Sequence, residues 1–79
     1  MMTMNEKASL DAMYKQTLIS VQKHRDRVAD IQFKMTDEDN SSTDIAKYAT
    51  AMNNCTKSIE NEIRTLKNIA TVLEAMESE

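Results

Sequence analysis

The sequence predicts an all-α fold, an antiparallel two-helix hairpin with coiled-coil-like packing. Three observations predict it. Apolar residues recur at helical spacing through two long segments, and these segments are rich in Leu, Met, Ala, Glu, Lys, Gln and Arg, which lose little side-chain freedom in a helix. Nine consecutive polar residues separate the two segments. No segment shows the period-2 alternation of Val, Ile and aromatic residues that a strand requires.

The first segment is predicted from about residue 6 to residue 35. Leu10, Tyr14, Val21, Val28, Ile31 and Met35 form its apolar stripe, which Met13 and Leu18 are expected to widen. Thr3 with Glu6 three residues on has the spacing of a capping box, and Asp11 complements the helix dipole early on. His24 and Arg25 fall in the middle of the stripe and weaken it.

The connection, residues 36–44, reads TDEDNSSTD. Asn, Asp, Ser and Thr side chains bond nearby backbone and so compete with helix formation. The chain contains neither Gly nor Pro, so nothing of that kind enforces the turn. Asp37, Glu38, Asp39 and Asp44 make it locally acidic, and Ser42 or Thr43 is the expected N-cap of the next helix.

The second segment, predicted over residues 45–76, carries the clearest periodicity. Ile45, Met52, Ile59, Leu66 and Leu73 recur every seventh residue, and so do Tyr48, Cys55, Glu62, Ile69 and Met76, with one polar exception. A 3.5-residue period sustained over four heptads specifies a left-handed coiled-coil seam. Ile63 broadens this apolar face. Ile59, Ile63, Leu66, Ile69 and Leu73 together cover more arc than one neighbouring helix occupies. These five are therefore the expected partner or assembly interface. Met, which adapts to irregular surfaces, accounts for 7 of 79 residues and points the same way.

Length and composition bound the function classes. A chain of 79 residues forms one domain and buries little surface alone. One Cys and one His do not assemble a zinc site, and a lone Cys makes no internal disulfide. Without Gly there is no phosphate-cradling loop, so no nucleotide cofactor, metal or small-molecule substrate is expected. No run of 18 apolar residues exists to span a membrane. Residues 1–35 hold six basic and four acidic side chains, a net +2 too interleaved for a nucleic-acid footprint. A partner surface, or the complement of another subunit's acidic loop, is the expected use of those cations.

Candidate chemistry is sparse. With the turn near residue 40, antiparallel partners have numbers summing to about 80, which brings His24 toward Cys55. A Cys–His nucleophile also needs an orienting group and an oxyanion site, and two helices without a cleft offer neither. Cys55 therefore reads as a small core residue and His24 as a seam-edge residue with a solvated ring. The carboxylate pairs Glu60/Glu62 and Asp37/Asp39 read as solvated acids, because side chains two apart on a helix diverge and the loop lacks an EF-hand glycine. Glu62 leaves two readings open. Either it is a polar seam residue that sets register, or the hairpin rotates it into solvent and buries Ile63 instead.

The chain resembles the needle-subunit family of bacterial type III secretion systems, short α-hairpins that stack helically into a hollow tube. The resemblance rests on overall length and on the helix–polar loop–helix layout. It also rests on Leu10-Asp11, Val21, Val28 and Lys34-Met35 in the first helix. In the second helix it rests on Ile45-Ala46-Lys47-Tyr48 with Met52, and on Arg64-Thr65-Leu66-Lys67-Asn68-Ile69. It covers roughly residues 10–73. The loop departs from the family in lacking proline, Asn68 stands in place of the usual Asp, and residues 74–79 add an acidic end. The resemblance implies a self-polymerising, non-enzymatic secretion component, cytoplasmic before export without cleavage and then secreted or at the cell surface. The alternative is a small cytoplasmic chaperone or adaptor that clamps a helix of a partner protein.

Overall fold

The computed structural model describes residues 4–77, and the expected Thr3 cap lies outside them. Two helices, α1 (Met4–Lys34) and α2 (Ser42–Glu77), pack along their lengths as an antiparallel hairpin. The molecule measures 59 × 15 × 14 Å, with a radius of gyration of 17.8 Å. A compact globule of this length would have roughly 12 Å.

The seam follows a heptad register on both helices. On α1 and just past its end the residues turned away from solvent include Leu10, Tyr14, Thr17, Val21, His24, Val28, Ile31 and Met35, stepping alternately by four and three. On α2 the sheltered residues include Tyr48, Met52, Cys55, Ile59, Glu62, Leu66, Ile69, Leu73 and Met76, with the same steps. Val21, Ile31, Cys55 and Ile69 are the buried core. Met13 and Leu18, expected to widen the α1 stripe, instead sit beside the seam with about half of their surface exposed. One facing helix shelters the two seam positions and leaves the flanking ones more open.

The turn forms without glycine because it needs no left-handed residue: among the described residues none has positive φ. Side chains add to backbone caps, since the Thr36 and Asp37 amides donate to the Phe33 and Lys34 carbonyls at 3.1 and 3.3 Å. Thr36 Oγ1 donates to the Phe33 carbonyl at 2.7 Å, and Asn40 Nδ2 donates to the Lys34 carbonyl at 2.8 Å. These satisfy two of the carbonyls a helix end leaves open. Asp37 Oδ1 accepts from the Asp39 amide at 3.0 Å and tightens the loop.

Helix α2 starts earlier than its periodicity suggests. Its N-cap is Ser41, not Ser42 or Thr43. Ser41 Oγ accepts from the Asp44 amide, and the Asp44 carboxylate accepts from the Ser41 amide, each at 3.1 Å. Asp44 takes the place of the Glu or Gln of the usual reciprocal box and adds negative charge at the positive end of the helix dipole. That box draws residues 42–44 out of the expected loop and into the helix.

Threonine, a weak helix former, is accommodated by a repeated local bond. Thr17, Thr50, Thr56, Thr65 and Thr71 each donate their hydroxyl to the carbonyl four residues earlier, at 2.7–3.1 Å. For Thr17 this matters to the core, since it removes the polar cost of a hydroxyl at a seam position.

Candidate interaction surface and the polar seam pair

The two ionisable residues that interrupt the seam, His24 and Glu62, meet each other. His24 Nδ1 lies 2.7 Å from Glu62 Oε1, with side chains 32% and 18% exposed. Glu62 therefore occupies the seam, which decides between the two readings of that position. His24 is a bonded seam residue whose ring is turned to α2, not a solvated one at the seam edge.

The pairing of His24 with Glu62 rather than Cys55 follows from side-chain direction. Every Cα–Cβ bond in a helix tilts toward that helix's own N-terminus. In an antiparallel hairpin His24 leans away from the turn and Glu62 leans toward it, so the two converge. Cys55 remains a neighbour, because it shares a shallow depression with His24. Stepping one heptad in opposite directions from the His24–Glu62 pair puts Ile31 in register with Cys55 and Thr17 with Ile69. The other heptad series brings Val28 level with Ile59 and Val21 with Leu66. Among the described residues, no buried side-chain nitrogen or oxygen lacks a partner.

Cys55 is a free thiol, buried in the seam. At 5% exposed, Cys55 offers little surface for the approach a nucleophile needs. No cluster of three His, Cys, Asp or Glu side chains able to hold a metal occurs among the described residues. No helix among them is long and apolar enough to cross a membrane.

The five expected interface residues divide in two. Ile69 is buried and belongs to the hairpin's own core. Ile59, Ile63, Leu66 and Leu73 are half-buried, with one edge against the seam and one open. Ile63 flanks the seam positions, whereas Ile59, Leu66 and Leu73 occupy them. The most exposed large apolar side chains lie elsewhere: Phe33 at 78%, Ile19 at 58%, and also Met4, Met13, Leu18 and Ile45. Sequence reasoning passed over Phe33 and Ile19 because neither falls in the seam register. The available signal was that same mismatch, a large apolar residue at a position that a two-helix seam leaves in water.

No protein-family model, no curated protein and no solved structure matches the chain.

Proposed function

We infer that the hairpin is a non-enzymatic assembly module that completes its core against other copies of itself, as needle-like secretion subunits do. One observation carries the reading: the hairpin has too little interior. It exposes 6125 Å². A compact monomer of 9.0 kDa exposes roughly 4,900 Å². No described side chain is fully buried, and large apolar residues stand in water on both helices. Burying apolar area is favourable by roughly 25 cal/mol per Å² before association costs, so a second layer of helices stabilises what one hairpin leaves open. The half-buried edge of Ile59, Ile63, Leu66 and Leu73 is the continuous part of that surface.

Chemistry supports assembly over catalysis. The one thiol is buried, and the Nδ1 atom of the one imidazole is held by Glu62. Electron microscopy and multi-angle light scattering of the purified chain test the reading. Concentration-dependent polymers support it. A stable monomer would refute self-assembly and leave the alternative, a chaperone or adaptor that clamps a foreign helix.

A further inference from the structure

One side of the hairpin carries a groove whose chemistry differs from the apolar edge. Two depressions adjoin there and share Ala51 and Asn54. The first is lined by Thr43, Ala46, Lys47 and Thr50 as well as the shared pair, and the second adds His24, Arg27, Cys55 and Ser58. From Thr43 to Ser58 the groove follows α2 for roughly 22 Å at the helical rise. Its lining residues on α2 are mostly small, which lets another backbone approach closely. Among the described lining residues none is acidic, and the formal charges are the cations Arg27 and Lys47. Neither has an ion-pair partner among the described residues.

The complementary charge lies in the turn. Asp37, Glu38 and Asp39 are exposed, with no cation among residues 35–41. Glu38 and Asp39 also lack ion-pair partners among the described residues. Within one hairpin the turn's Glu38 and Asp39 form no ion pair with Arg27 or Lys47, which leaves both sets of charge open to a neighbour.

We propose that this groove receives the acidic turn of a second copy of the chain, with Arg27 and Lys47 bonding Glu38 and Asp39. The proposal rests on the self-assembly reading and names one of its contacts. The groove is centred near Ala51, about 14 Å along α2 from its start. Two copies lying antiparallel with their turn ends overlapped by that length would place each turn on the other's groove. Both contacts then form at once about a two-fold axis, as an isologous pair requires. Arg adds bidentate geometry to the carboxylate contact, and the attraction weakens with salt.

Charge reversal in two separate variants tests it: Arg27→Glu with Lys47→Glu in the groove, and Glu38→Lys with Asp39→Lys in the turn. All four side chains are exposed, and circular dichroism checks that the helices persist. Association is read by light scattering and sedimentation in 50 mM and 500 mM NaCl. Each variant alone is expected to lose the salt-sensitive association of the unaltered chain. An equimolar mixture is expected to regain it, because the reversed turn of one then meets the reversed groove of the other. Variants that associate as the unaltered chain does would overturn the contact. If Ile63→Asp abolished association in that case, the assembly reading would survive without this groove. An unaltered chain that stays monomeric at both salt concentrations would overturn both. An unaltered monomer whose Ala51 and Asn54 amide resonances shift with a polyglutamate peptide would assign the groove to a foreign acidic segment, and would also overturn the proposal.

Discussion

Replacing the seam pair separately and together measures what it contributes. His24→Leu leaves the Glu62 carboxylate 18% exposed and without its cross-helix partner. An unsatisfied, largely desolvated acceptor costs about 1–3 kcal/mol. The leucine side chain packs against the seam and offsets part of that, so a net loss of about 1 kcal/mol is expected. For a domain of this size that lowers Tm by about 4–8 °C. Glu62→Leu leaves the His24 ring 32% exposed, where water partly replaces the lost bond. Its expected effect is smaller, within about 0.5 kcal/mol of zero. The double variant His24→Leu/Glu62→Leu gives the seam two more apolar residues and no orphan, which is neutral or stabilising in comparable buried pairs. Urea unfolding followed by circular dichroism at 222 nm gives all four stabilities, at one protein concentration because association shifts apparent stability. The expected coupling is about 1–2 kcal/mol, with the double variant more stable than the sum of the singles implies. Single effects that add to within about 0.3 kcal/mol would refute the claim that His24 and Glu62 act as a unit.

Three other expectations concern the fold. Cys55 should react slowly with a thiol reagent in the native protein and rapidly in urea, and fast native labelling would show an open seam. Ser41→Ala removes one half of the reciprocal cap and should cost about 1 kcal/mol, measured by the same unfolding titration; an unchanged midpoint would assign the helix start to another group. Asn40→Gly should destabilise the turn by about 1 kcal/mol, because it loses the bond to the Lys34 carbonyl and adds backbone freedom where no positive φ calls for glycine. A gain in thermal stability would contradict that description of the turn.

Much of the hairpin was legible in residue spacing. The α2 heptads place Cys55 and Ile69 at the seam, and both are buried. The polar run between the helices located the break, while its boundaries shifted because the Ser41–Asp44 cap is a local bond that periodicity does not register. The His24–Glu62 pair was not legible. Numbering symmetry about the turn pointed to Cys55, whereas the opposed lean of side chains in antiparallel helices carries the contact one heptad further. The α1 stripe looked weakened by His24 and Arg25; His24 bonds across the seam to α2, and Arg25 lies outside the seam register and is exposed. Exposure of Phe33 and Ile19 was readable only as a mismatch with the seam register, and apolar spacing along one helix does not say how many neighbours that helix has.

The central claim, that a half-buried edge of α2 is completed by other copies of the chain, is tested most directly at Ile63. Ile63 flanks the seam and so affects the hairpin's own packing less than Leu66 or Ile69. Covering the half of its side chain that remains open is favourable by about 1 kcal/mol, and a carboxylate there opposes association instead. Multi-angle light scattering of Ile63→Asp beside the unaltered chain, with helicity matched by circular dichroism, should show a helical protein that has lost its assembly. Full assembly by a fully helical Ile63→Asp protein would contradict the account.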